Sequence, residues 1–182
     1  DQVLVLRRED GIIKAVAASL PPAVKPKKYK EEFRKRFCEV LLARRILITE
    51  GRTEYDAFPA AARRLHELHP KEFRSLEALG IAVINAESDS QIAPLGEHFR
   101  KLGKTVCAVF DKQTAVQKAA IDAAVDHPFE GPGPGFEKNL LEGTAEAALR
   151  RFAVERVASG EWPLHLAAQT PAAGTALPAL KA

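Results

Sequence analysis

Acidic residues stand at recurring places in this sequence. Glu50 follows the apolar run Ile46-Leu47-Ile48 and Thr49, Glu87 and Asp89 follow Ile81-Ala82-Val83-Ile84, and Asp111 comes directly after Val106-Cys107-Ala108-Val109-Phe110. Glu54 lies one helical turn beyond Glu50, and Glu137 opens a later helical stretch. Carboxylates gathered in one crevice repel each other, and their pKa values rise unless a cation joins them. Hard oxygen donors suit Mg²⁺ or Mn²⁺, which keep several waters and complete their shell with phosphate oxygens. Two such ions can stabilise both the attacking and the leaving oxygen of an in-line phosphoryl displacement. Zinc is disfavoured, because His66, His69, His98, His127 and His165 show no paired-ligand spacing with the cysteines. No glycine-rich loop precedes a Lys-Ser or Lys-Thr pair, which excludes a P-loop, and no Gly-x-Ser-x-Gly elbow occurs.

Elements able to position these acids can be read from the hydrophobic pattern. Ile46 to Ile48, flanked by charge, predicts a buried strand, and Gly51 offers a tight exit from it. Thr53 is the expected N-cap of a helix whose stripe is Tyr55, Phe58, Ala61, Ala62 and Leu65, ending before Pro70. A second strand follows Gly80, then a helix over 92–102 with Leu95, Phe99 and Leu102 inward, stopped by Gly103. A third strand over 105–110 leads into an alanine-rich helix reaching about Val125, and 130–135 reads as a loop. Helices are expected over 136–141 and 143–158, the latter with a stripe of Ala145, Ala148, Leu149, Phe152 and Val157. A last helix is expected over 176–181. Ahead of the first of these strands, Val3 to Leu6 and Ile12 to Val16 predict a hairpin turning at Asp10-Gly11. Pro21, Pro22 and Pro26 form an extended linker, and a basic helix over 28–43 carries Phe33, Phe37, Val40 and Leu41.

The alternation of strands and helices predicts an α/β fold, a mainly parallel sheet flanked by helices with strands buried on both faces. Ligands of such sheets bind at the carboxyl ends of the strands, where three successive strands here deliver acid.

Composition sets bounds on the class. The 182 residues, 46% hydrophobic and 28% charged, suit one α/β domain with a small appendage. No apolar run approaches the roughly 20 residues of a membrane span, and the start lacks the features of a signal peptide. Cys38 and Cys107 sit in apolar patterns and read as buried thiols, which suits a cytoplasmic setting. Net charge is only +3, but Lys25, Lys27, Lys28, Lys30, Arg34, Lys35 and Arg36 crowd one segment, with Arg44 and Arg45 close behind. Such a cluster can attract a phosphate backbone, although a basic run is more often a solvated helix face or a linker. The chain begins at Asp1 and holds no methionine, so an internal fragment is the expectation.

Leu47-Ile48-Thr49-Glu50-Gly51-Arg52-Thr53-Glu54 leading into a helix, with a later strand ending in Asp111, resembles the Toprim domain of topoisomerases, bacterial primases and several nucleases. More narrowly, Glu50 to Asp56, Asp89-Ser90-Gln91-Ile92 and Val109-Phe110-Asp111-Lys112-Gln113 resemble the OLD-family (overcoming lysogenisation defect) endonucleases. The resemblance implies an N-terminal ABC-type ATPase followed by a Toprim nuclease that cuts DNA with divalent metals. With no Walker motif, this chain would be the nuclease part. On that basis 1–43 would be the trailing segment of the ATPase domain and a basic linker helix, 44–142 the Toprim catalytic domain and 143–182 a helical appendage.

The resemblance also implies roles. Glu50 and Asp111 would bind the principal Mg²⁺ or Mn²⁺, and Glu54, Asp89, Ser90 and Glu137 would complete the shells of two ions. Lys112, Lys138 or Lys181 would act near the scissile phosphate, with Lys138 taken as the catalytic lysine. Lys28, Arg34, Arg45, Arg52 and Lys112 would hold DNA, and a homodimer is expected. The sequence departs from the family at Gln113, where the usual Asp-x-Asp motif has its second aspartate. That departure favours the alternative reading, a catalytically silent Toprim-like scaffold for dimerisation or partner binding. Topoisomerase chemistry would need a tyrosine nucleophile, for which only Tyr29 and Tyr55 exist. Primases need further modules that this chain lacks.

Overall fold

In the structure, a computed structural model, residues 4–17, 39–133 and 135–163 are described. Lys28, Tyr29, Arg34, Cys38, Lys181, most of the expected basic helix and the expected last helix lie outside the described residues. Two compact units are present, Asp1–Gly133 and Pro134–Ala182.

The first unit opens with an antiparallel hairpin, β1 (Leu4–Glu9) and β2 (Ile12–Ala17), as the Asp-Gly turn predicts. Asp10 and Gly11 both adopt positive φ there, the backbone that two-residue hairpin turns require. The core of the unit is a parallel sheet of β3 (Arg45–Thr49), β4 (Ile81–Asn85), β5 (Thr105–Phe110) and β6 (His127–Glu130), in the order β4-β3-β5-β6. Helices α1 (Arg52–Leu68), α2 (Asp89–Lys101) and α3 (Ala115–Ala124) connect successive strands. The mainly parallel α/β architecture expected from the sequence is therefore present.

Strand β6 is an addition to the expected set. Its four residues contain Pro128, which cannot donate to a ladder, and they form no apolar run. It pairs with β5 at the sheet's edge, and the Asp126 carboxylate accepts the Val106 N–H at 2.8 Å just ahead of it.

Full burial on both sheet faces is not observed. Ile46, Ile48, Ile84, Val106, Ala108 and Phe110 are buried on one face, packed with Ile92, Leu95 and Phe99 of α2 and Ile121 and Ala124 of α3. Leu47, Val83, Cys107 and Val109 on the other face are only half-buried, and Cys107 is a free thiol whose pKa burial pushes up. The reason lies in α1, which contacts β3 and β4 but contributes no residue to the core cluster. Its one buried side chain is Glu54, while Ala61 and Leu65 of the expected stripe are exposed.

The second unit holds α4 (Phe136–Gly143) and α5 (Glu146–Ala158). Helix α4, grouped with the catalytic domain in the sequence reading, falls in this unit. Along α5 the expected stripe is not a buried face among the described residues: Phe152 and Ala145 are exposed, and the buried residue is Ala153.

The tightest helix contact is between α2 and α3. A Cβ on Gly96 would come within 2.7 Å of Val125 Cγ1 and 2.9 Å of the Ala124 carbonyl oxygen. Alanine gains about 1 kcal/mol of helix propensity over glycine, but overpacking against backbone costs about 1–3 kcal/mol. Gly96→Ala is therefore expected to lower the thermal midpoint, measured by circular dichroism. An unchanged or raised midpoint would show that the two helices can part without cost.

Candidate functional site

The central strand β3 has β4 on one side and β5 on the other, so the chain reverses its direction of winding between them. In such sheets the crevice outside the carboxyl ends at the switch point is where ligands bind. Register fixes what lies there. Thr49 pairs with Asn85 and with Val109, which brings the ends of all three strands level. Glu50 leaves β3 and Asp111 leaves β5 side by side, and the Asp111 N–H donates to Glu50 Oε2 at 3.0 Å. Thr49 is fully buried beneath them, its hydroxyl 3.2 Å from the Gly51 carbonyl and 3.3 Å from the Ile84 carbonyl, donating to one at a time.

Gly51 serves a different purpose from the one expected. Its φ of −129° is open to any residue, so no special exit conformation is needed. What its missing side chain leaves is room: a Cβ would stand 2.9 Å from Glu54 Oε2, and that carboxylate would have to move aside. Gly51 is itself the N-cap of α1, which begins at Arg52, so Thr53 is not the cap. The helix starts two residues earlier than a Thr53 cap allows, which makes Glu54 its third residue, still within the first turn, where the helix dipole favours a carboxylate. Glu54 is only 6% exposed, and no hydrogen bond to its carboxylate is seen among the described residues.

Asp89 reaches the crevice from a helix. Helix α2 begins at Asp89, ahead of the expected Ile92, so Asp89 and Ser90 sit in its first turn. Glu87 precedes it with φ +62°, its backbone N–H held by Asn85 Oδ1 at 2.7 Å and its side chain exposed. Asp89 Oδ1 accepts the Ser90 N–H at 2.6 Å, and Asp89 Oδ2 accepts Gln117 Nε2 at 2.8 Å.

Two residues of the following segment hold acids by amide donors. Gln113 Nε2 donates to Glu50 Oε2 at 3.2 Å, while its own N–H donates to Glu130 Oε1 at 2.9 Å at the end of β6. Gln117 and Glu130 were not singled out in the sequence. The spacing Thr114-x-x-Gln117 is a capping-box signal that could have found the first, and Thr114 is indeed the N-cap of α3.

The electrostatics of Glu50 reflect its acidic neighbours. Burial raises the Glu50 carboxyl above its ordinary value, the Asp111 N–H bond offsets part of this, and the charges of Asp111, Asp89 and Glu54 raise it further. Among the described residues, no three His, Cys, Asp or Glu side chains are already gathered so as to hold an ion by themselves. A hard cation does not require that, since Mg²⁺ is commonly held by one or two carboxylates plus water and phosphate oxygens. The donor set is all oxygen and mutually repelling, and it fits such an ion.

The remaining candidates divide by position. Lys112 follows Asp111 and is exposed at the crevice. Arg52 is exposed nearby, bonded through Nε to Asp56 Oδ2 at 2.6 Å and lying over the Tyr55 ring. Arg45 starts β3, roughly 16 Å of strand from Glu50 at the opposite edge, and donates to the Leu79 carbonyl at 2.9 Å. Glu137 and Lys138 lie on α4 in the second unit, where Lys138 Nζ is 3.9 Å from Glu142.

Residues 41–112 match the family described as Overcoming lysogenization defect protein-like, TOPRIM domain, and the match supports an OLD-family Toprim region over that span. Toprim domains act on nucleic acid as nuclease or primase-type enzymes and generally bind divalent ions such as Mg²⁺. Glu50, Glu54, Asp89, Ser90, Asp111 and Lys112 fall inside the matched span, and Gln113, Gln117 and Glu137 fall outside it. No curated protein and no solved structure matches the chain. Among the described residues, no helix is long and apolar enough to cross a membrane.

Because the folded-state pKa of Glu50 lies above the unfolded value, its proton is held more tightly in the folded chain. Glu50's contribution to the stability of the metal-free protein should be greatest below the ordinary glutamate pKa and be lost as pH rises through the raised value. Glu50→Gln should flatten that decline, and Mg²⁺ should offset it at neutral pH. Thermal melts from pH 4 to 8 would check this, and a decline unchanged in the variant would show that Glu50 is not its source. Gly51→Ala should displace the Glu54 carboxylate and lessen the stabilisation by Mg²⁺, read from the same melts.

Proposed function

Proceeding from an OLD-like Toprim region, we propose that this chain carries a divalent-metal-dependent DNA endonuclease that hydrolyses phosphodiester bonds with Mg²⁺ or Mn²⁺, two ions in all. The observation that carries the reading is the Glu50–Asp111 junction at the switch point, closed by a 3.0 Å hydrogen bond and surrounded by the charges of Glu54 and Asp89. When bound, the ions would neutralise these acids and draw charge from the scissile phosphate. Glu50 and Asp111 would hold the principal ion, and Glu54, Asp89 and Ser90 would serve the second, joined by Glu137 as the family resemblance implies.

The chain's own residues supply the rest. Glu50 has one carboxylate edge fixed by the Asp111 N–H and the Gln113 amide, so its other oxygen is oriented without a search. Lys112, exposed beside Asp111, would offer an ammonium to the DNA phosphate, and Arg52, exposed at the start of α1, would add a second cation. Lys138 would be the catalytic lysine, as the family resemblance implies, with Lys28, Arg34 and Arg45 as further contacts to the DNA backbone. Coupling to an N-terminal ABC-type ATPase domain, a homodimer and a cytoplasmic location belong to the same proposal. So do the limits 44–142 for the catalytic domain, with 1–43 and 143–182 flanking it.

One observation favours the silent-scaffold reading: an amide, Gln113, bonds to Glu50 where the family motif has an acid. Supercoiled-plasmid cleavage decides between the two. Nicking or linearisation is expected with Mg²⁺ or Mn²⁺ and not with EDTA. Glu50→Ala and Asp111→Ala should each reduce the rate by at least about 100-fold, more than loss of an outer partner costs a metal site. A folded chain that cuts nothing with either ion would overturn the nuclease reading in favour of the scaffold.

A further inference from the structure

Two glutamines, one in the turn after β5 and one in the first turn of α3, reach acids at the exit of β3 and at the start of α2. Gln113 Nε2 meets Glu50 Oε2 at 3.2 Å, and Gln117 Nε2 meets Asp89 Oδ2 at 2.8 Å. Neither amide is free to turn over. The Thr114 hydroxyl donates to Gln117 Oε1 at 2.7 Å and accepts the Gln117 N–H at 3.3 Å, which leaves the NH₂ end of that side chain for Asp89. Gln113 is anchored through its backbone by Glu130, and a carboxylate oxygen can only accept, so its NH₂ end must face Glu50.

We propose that Gln113 and Gln117 form a neutral amide clamp that orients Glu50 and Asp89 towards a divalent cation, and that Gln113 is a positioning residue rather than a lost ligand of the Asp-x-Asp type. The inference rests on the divalent-metal reading of the crevice and deepens it. An amide fixes a carboxylate without cancelling its charge, whereas a lysine or arginine would compete with the ion. A carboxylate at position 113 would instead approach Glu50 at hydrogen-bonding distance as a like charge. Both donors to Glu50 bond Oε2, and no hydrogen bond to Oε1 is seen among the described residues, so one edge is held and the other is presented.

The test is Mn²⁺ binding to the full chain, read as free Mn²⁺ by electron paramagnetic resonance, for the wild type, Gln113→Ala, Gln113→Asp and Gln117→Ala. Each variant is expected to bind about 10-fold more weakly, as loss of a partner to a metal ligand commonly does, with the metal-free protein still folded by circular dichroism. Tighter binding by Gln113→Asp would identify position 113 as a ligand position and overturn the clamp. Equal binding by Gln113→Ala and wild type would do the same. A wild-type chain that binds no Mn²⁺ would overturn the metal reading and the clamp together, which separates that failure from failure of the clamp alone. Should a variant not fold, side-chain amide resonances give a second reading on metal-free protein. Those of Gln113 should move on Glu50→Gln and those of Gln117 on Asp89→Asn, and unmoved resonances would overturn the contacts themselves.

Discussion

Holding several like charges at one edge of a sheet is the constraint to which the rest of this fold answers. Glu50 carries a raised pKa because burial and three neighbouring carboxylates all oppose its ionisation. The fold meets that cost with neutral donors and dipoles. Asp111 contributes a backbone N–H, Gln113 and Gln117 contribute amides, and Glu54 and Asp89 each occupy the first turn of a helix, where the partial positive charge of the N-terminus favours an acid. None of these partners carries a full positive charge. The charge of these acids is therefore left uncancelled by the groups that hold them.

Topology explains why these residues meet although they lie far apart in sequence. The order β4-β3-β5-β6 sets the exits of β3 and β5 next to each other, and parallel pairing keeps all the exits at one edge. Even the short strand β6 has a part, since its last residue, Glu130, fixes the Gln113 backbone. Helix packing on one face holds this arrangement rigid, through Ile92, Leu95 and Phe99 against Ile46, Ile48 and Ala108. Helix α1 is exempt from that role. It spends its buried position on Glu54, which is poor packing but places an acid beside Glu50.

The parts of this design that follow from local pattern were legible in the sequence. Apolar runs ending in Glu50 and Asp111 marked both strands and both acids, because a buried parallel strand and its exit are local features. Asp89 was legible as an acid at the crevice but not as a helix residue, since its helix starts before the first apolar position, Ile92. Strand β6 was hidden because Pro128 and exposed residues erase the strand pattern at an edge. Gly51 looked like a turn glycine, whereas its absent side chain makes room for a carboxylate four bonds along another residue's side chain, a contact no local pattern encodes. The amide contacts of Gln113 and Gln117 were equally hidden, as each joins residues separated by 28 to 63 positions.

That last difficulty bears on how a departure from a family motif should be read. Taken as a string, Gln113 in place of an acid suggests loss of a ligand and so loss of function. Taken with its partners, it is a side chain whose both ends are committed: its backbone to Glu130 and its amide to Glu50. A residue left behind by decaying function has no reason to be fixed by one acid, Glu130, and to donate to another, Glu50. Repulsion supplies the physical ground. With Glu54, Asp89 and Asp111 already acting on Glu50, a further carboxylate would raise the cost of the metal-free state, while an amide lowers it and leaves the donors intact. The amide at position 113 therefore eases the empty crevice while holding Glu50 in place, and Gln117 donates to Asp89 from one helical turn away.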